Sequence, residues 1–146
     1  MLILMLIDRI ISKFEQISKN IELIKKYFPN NEKDFSQLGL IKDGIYKRYE
    51  YSVELIIDII AMINSHYKLG IPSNNLEIIS NLKQNSIISS KTFDLIQGMK
   101  AFRNVLVHVY EKLDDILAYN NIKKSMDDFT LIEEEIMAFL KKNKKF

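Results

Sequence analysis

The stretch Phe102-Arg103-Asn104-Val105-Leu106-Val107-His108-Val109-Tyr110 sets a guanidinium, a carboxamide, an imidazole and a phenol beside one apolar stripe. On a helix Asn104 and His108 are one turn apart on one face, and Arg103 and Tyr110, seven residues apart, share an adjacent face. Arg103 and His108 are five residues apart, which in an unbroken helix separates them by about 140°. Two arrangements could bring them together. Either the helix distorts near Asn104, or each residue meets its counterpart in a symmetry-related chain, which would supply a second arginine and a second histidine. The chemistry these groups suit is metal-free cleavage of RNA phosphodiesters. A neutral imidazole near pH 7 takes the proton of a 2′-hydroxyl or returns one to the leaving 5′-oxygen, while a guanidinium clamps the phosphate and stabilises the added charge of the transition state. Asn104 could orient the imidazole and Tyr110 could hold a phosphate oxygen. The competing account is structural: a buried His108 bonded to a helix carbonyl, with Arg103 snorkelling to solvent.

The rest of the chain must position these groups. Its 146 residues, 17.2 kDa, make one domain able to bury roughly 70% of its extended-state surface. With 21 basic and 19 acidic residues the net charge is +2, so no global field announces nucleic acid, membrane or an acidic substrate. No cysteine is present, which excludes disulfides, thiolate metal sites and cysteine nucleophiles. The only histidines, His66 and His108, nearly exclude a site needing several imidazoles from one chain. Met1 to Ile7 lacks a basic leader and runs straight into Asp8 and Arg9, so it does not read as a targeting signal. Leu55 to Ile63 is broken by Asp58 and falls far short of the roughly 20 residues of a membrane span. A soluble, cytoplasmic protein with no membrane association is expected.

Four glycines and two prolines favour a few long helices over a many-stranded sheet. Ile3, Ile7, Ile10, Phe14, Ile17, Ile21, Ile24 and Phe28 alternate steps of four and three, which predicts a first amphipathic helix ending at Pro29. Ile45, Tyr49, Ser52, Ile56, Ile59, Ile63 and Tyr67 repeat the rhythm in a second, central helix stopped by Gly70 and Pro72. Asn74 or Asn75 can cap a short helix carrying Leu76, Ile79 and Leu82, and Ser89 or Ser90 the next, with Leu95, Met99, Phe102, Leu106 and Val109 as its stripe. Ser125 is expected to open a last helix on Phe129, Ile132, Ile136 and Phe139. The prediction is an all-α, single-domain, up-and-down bundle of four long helices plus one short one over residues 1–146, fraying at 143–146. The lysines at 141, 142, 144 and 145 read as a solvated end.

Arg103-Asn104-x-x-x-His108-x-Tyr110 resembles the R-x4-H-x-Y signature of the HEPN superfamily, specifically the HepT-like toxins of HEPN–MNT toxin–antitoxin pairs. The context is similar too: a long first helix, a second with Glu54 and Asp58 among apolar residues, a Gly70-Ile71-Pro72 turn, a short helix, and an acidic link at Glu111, Asp114 and Asp115 before the final helix. The likeness covers about residues 1 to 142. It implies a homodimer whose motifs converge at the interface as a metal-independent endoribonuclease acting on RNA, not DNA, with no cofactor. Arg103 would bind phosphate, His108 would be the acid/base, Asn104 would support them, and Tyr110 would match the tyrosine that a cognate MNT nucleotidyltransferase antitoxin modifies with AMP in a type VII-like pair. Such a nucleotide beside His108 would put charge and bulk where substrate phosphate must bind. Residues between Pro29 and Gly44, with Phe35, Leu38, Leu40 and Ile41, depart from the familiar length and could be a helical turn, a lid or dimer surface.

Other residues carry weaker signals. Lys47 and Arg48, among Tyr46, Tyr49 and Tyr51, are candidate RNA-steering residues, although Tyr49 lies on the core stripe. Glu54 and Asp58, one turn apart with no histidine nearby, make a poor metal site and a better polar support for Arg103. His66 suits a helix C-terminus. Two non-nuclease alternatives stand beside the toxin: a non-catalytic helical subunit partnering a minimal nucleotidyltransferase, and a dimerisation bundle whose motif is a buried polar network.

Overall fold

A computed structural model describes residues 3–143. Its helices are α1 (Ile3–Tyr27), α2 (Glu32–Ser36), α3 (Leu40–His66), α4 (Asn75–Gln84), α5 (Ser90–His108), α6 (Asp115–Ser125) and α7 (Asp128–Lys142), with a 3₁₀ turn at Tyr110–Lys112. No strand occurs among the described residues, and none of their helices is long and apolar enough to cross a membrane.

The stripes drive the packing. Leu6, Ile10, Phe14, Ile17, Ile21 and Ile24 of α1 are buried against α3, whose Tyr49, Ser52, Ile56, Ile59 and Ile63 lie at the centre of the bundle. α4 and α5 also pack on α3 and on each other. Caps set the ends by satisfying amides that have no helical partner. The side chains of Asn31, Asn74, Ser89 and Asp114 accept from the first-turn N–H groups of α2, α4, α5 and α6 respectively. Gly39 opens α3 at φ 61°, ψ −126°, a backbone state that side-chain-bearing residues rarely adopt. At the other end the buried Asn64 donates to the Gly70 carbonyl at 2.9 Å and accepts from Asn81 at 3.0 Å, tying the turn to α4.

The bundle has two more helices than the spacing predicts. The segment 30–44 contains α2, a single turn of helix whose Phe35 is fully buried among Phe28, Tyr46 and Tyr119 at ring separations of 5.4–5.6 Å. Residues 115–125, expected as a link, form α6, and Ser125 closes this helix instead of opening the last one. The Ser125 hydroxyl donates to Tyr49 Oη at 3.0 Å, a buried pairing that explains a serine at a core position. Registers also shift: in α4, Ile78 and not Leu76 is buried beside Ile79 and Leu82. Ile96 replaces Leu95 on the buried face of α5, where Val109 is exposed, and Leu140 replaces Phe139 at the end of the α7 stripe. The expected fraying at 143–146 falls, from residue 144 on, outside the described residues.

Because Phe35 is the plug of the aromatic cluster, Phe35→Ala is expected to lower stability by about 3–5 kcal/mol, read from urea unfolding midpoints. A loss under about 1 kcal/mol would mean that α2 is dispensable to the core.

Candidate active site

α5 runs unbroken through Asn104 to His108, so no distortion of the helix swings Arg103 towards His108. Met99, Phe102 and Leu106 face the core, which leaves Arg103 and Asn104 half-buried at the rim and His108 exposed at the last helical position. The buried-histidine account therefore fails. The helix closes where the Val109 N–H donates to the Val105 carbonyl at 3.0 Å, and the chain turns into the 3₁₀ segment. Tyr110 thereby leaves the face it would have shared with Arg103.

Arg103 is held from two sides. Its Nη2 donates to Glu54 Oε1 at 2.5 Å and its Nη1 to Asn104 Oδ1 at 3.2 Å, while its buried Nε has no partner among the described residues. A guanidinium carries five N–H donors. Two are used and one is buried, so two remain for a phosphate. The Arg103–Glu54 pair is 30% and 41% exposed, a setting in which ion pairs add little stability, so its effect is to aim the guanidinium. Asn104 thus anchors Arg103 in place of the imidazole. It also lines an open groove of about 470 Å³ between α4 and α5, together with Asp94, Gln97 and Lys100.

The other expected support residues separate. Asp58 lies 3.7 Å from Lys13 of α1 and does not join Glu54 at Arg103. Lys47 pairs with Glu50 at 3.4 Å, one and two turns along α3 from Glu54, whereas Arg48 turns towards α1 and donates to Asn20 Oδ1 at 3.1 Å. The two cations point along different faces of α3.

Tyr110 is seated by residues that the sequence reading did not single out as its partners. Its hydroxyl donates to Asp43 Oδ1, and its ring stands edge-on to Tyr46 at 5.8 Å. Tyr46 in turn donates to Asp115 Oδ1 at 2.7 Å, and Lys42 Nζ donates to Asp115 Oδ2 at 2.8 Å. Burial, followed by the hydrogen bond and charge of Asp43 and the charge of Asp115, pushes the Tyr110 hydroxyl up to about 12; burial and Asp115 push Tyr46 higher still. A signal for Asp43 did exist: Asp43, Lys47, Glu50 and Glu54 step by four, three and four, a polar stripe that an exposed helix would not need to align with α5. Among the described residues no group of three or more histidine, aspartate or glutamate side chains is placed to hold a metal ion.

An all-α bundle presenting arginine, asparagine, histidine and tyrosine at the open end of one helix is the architecture of HEPN proteins. Within that class the chain belongs to the Ribonuclease HepT-like family, whose sequence profile matches residues 17–136. It is 28% identical over 131 residues to the mRNA nuclease HepT of Shewanella oneidensis, covering 90% of this chain and 98% of that one. Two solved structures are similar throughout. One is a toxin–antitoxin complex with AMP-PNP, with a TM-score of 0.82 at 27% identity over 90% of this chain and 98% of that one. The other is the tri-AMPylated Shewanella oneidensis HEPN toxin in complex with an MNT antitoxin, with a TM-score of 0.79 at 27% identity over 88% and 96% of the two chains.

The raised hydroxyl yields a titration. An ultraviolet difference titration of the chain against Tyr110→Phe is expected to show a tyrosinate step near 12, above the usual value of about 10. The folded state then holds a proton that the unfolded chain releases, so this group's stabilisation is complete below about pH 10 and is lost as pH rises towards the folded value. A step at the ordinary tyrosine value would mean that Tyr110 is not seated on Asp43.

Proposed function

We propose that this chain is the metal-independent endoribonuclease toxin of a type VII-like HEPN–MNT toxin–antitoxin pair, acting in the cytoplasm on RNA and silenced by AMP transfer to Tyr110 from a cognate nucleotidyltransferase. The observation that carries it is the Arg103-Asn104-x-x-x-His108-x-Tyr110 run at the end of α5 and the turn after it, with Arg103 aimed by Glu54 and Asn104 and left with donors to spare. Similarity to an mRNA nuclease over nearly the whole of both chains supports the same reading.

In the reaction the substrate's 2′-hydroxyl attacks the adjacent phosphorus, its O–P bond forms as the P–O5′ bond breaks, and a cyclic phosphate results. One His108 accepts the attacking proton, and a second returns a proton to the leaving oxygen. Arg103 donates to the phosphate oxygens as charge builds on them. A single chain has one such imidazole, so the working unit is a homodimer with α5 ends facing across a two-fold axis. Val105, Val107 and Val109, at 40%, 40% and 45% exposure beside the motif, supply apolar area for that pairing. Lys47, on the same stripe of α3 as Glu54, is the better candidate for steering RNA; Arg48 faces away.

Purified protein is expected to cleave RNA in EDTA, and Arg103→Ala and His108→Ala each to lose about a hundred-fold or more of that activity while remaining folded dimers. Equal cleavage by His108→Ala would remove the site assignment. Tight binding of the nucleotidyltransferase with no cleavage by the wild-type chain would instead identify a non-catalytic partner subunit.

A further inference from the structure

The phenol assigned above as the silencing site is already hydrogen-bonded within its own chain. Asp43 lies in the first turn of α3, exposed, with its Oδ1 accepting the Tyr110 hydroxyl. Among the described residues it accepts from no other side chain and forms no ion pair, whereas nearby Asp115 is occupied by both Tyr46 and Lys42. The two carboxylates therefore differ in kind. One is neutralised and bound from two sides, and the other is engaged only with the proton that any transfer to Tyr110 must remove.

We propose that Asp43 is the general base for nucleotidyl transfer onto Tyr110, a catalytic residue that the toxin itself supplies to its own silencing. This rests on the proposed function above, in which Tyr110 is the acceptor. The Tyr110 oxygen attacks the α-phosphorus of ATP held by the partner nucleotidyltransferase. The Tyr110 O–P bond forms as the bond to pyrophosphate breaks, and the hydroxyl proton passes to Asp43 and then to solvent. No oxidant or reductant is needed. A phenol held protonated well above neutral pH is a poor nucleophile without such a base, since little tyrosinate exists to react. Tyr46, packed edge-on against one side of the Tyr110 ring, fixes the hydroxyl over Asp43, and the 41% exposure of Tyr110 leaves the reacting edge open to the partner.

The titratable and charged groups acting on the phenol or on its neighbours are Asp43, Tyr46 and Lys42 from α3 and Asp115 from α6, while His108 stands two residues before Tyr110 in the chain. Asp43→Asn keeps an oxygen that can accept the hydroxyl but removes the base, so it separates proton transfer from positioning. Wild type, Asp43→Asn and Asp43→Glu are mixed with the nucleotidyltransferase, magnesium and ATP, and AMP addition to Tyr110 is followed by intact-mass and peptide mass spectrometry from about pH 7 to pH 10. The expected result is a rate for Asp43→Asn about 10²–10⁴-fold below wild type, rising about tenfold per pH unit as tyrosinate forms, with a wild-type rate less dependent on pH and partial rescue by Asp43→Glu. A wild-type rate in Asp43→Asn, or a slow rate with the wild-type pH profile, overturns the role of Asp43 alone. A wild-type chain that is never modified at Tyr110 overturns the silencing assignment, and this proposal with it.

Discussion

Helix α3 carries eleven buried residues spread over about half of its circumference, so no single neighbour can keep it dry. Burial of each isoleucine stabilises the fold by about 1.5–3 kcal/mol only if packing is complete on every side. α1 covers one flank, α4 and α5 cover others, and the aromatic plug built on Phe35 closes the end where α3 begins. The same constraint leaves one stripe of α3 half-open, and that stripe is polar: Asp43, Lys47, Glu50 and Glu54. Arg103 of α5 and Tyr110 of the following turn are both held there.

Arg103 meets this stripe at Glu54 and Tyr110 meets it at Asp43. Eleven residues of helix separate the two anchors, about 16 Å at 1.5 Å per residue. That is about twice the screening length of about 8 Å at physiological ionic strength, so the two acidic anchors on α3 act on their partners largely independently. His108 stands two residues before Tyr110 in the chain. The chain passes from one to the other at the end of α5, where the 3₁₀ turn begins.

How much was legible depended on burial. The stripes of α1 and α3 are long, aliphatic and regular, and nearly every predicted core position in them is buried. α6 hid because two of its apolar residues, Ile116 and Leu117, are exposed while Ala118 and Tyr119 are buried, which blurs the period that betrays a helix. α2 is one turn long and shows too little periodicity to find. The single-residue slip in α5, Ile96 for Leu95, arose because adjacent apolar residues satisfy the same rhythm, and only the crossing with α3 and α4 chooses between them. Glu54 was visible as an acid in an apolar helix. Asp58 looked equivalent, but its side chain meets Lys13 of α1.

The residue types and their spacing determined by themselves that this chain is helical, that it holds two histidines and no cysteine, and that arginine, asparagine, histidine and tyrosine stand together near residue 105. Net charge averages over the whole chain and so says little about a few oriented donors at one helix end. Only the tertiary structure decided which acid holds Arg103, that Asn104 serves the arginine, and that Tyr110 swings off its helix to Asp43. The physical reason is that periodicity reports which face of a helix is buried. It does not report which turn of a neighbouring helix that face will cross, and hydrogen-bond partners 49 and 67 residues apart are fixed by that crossing alone.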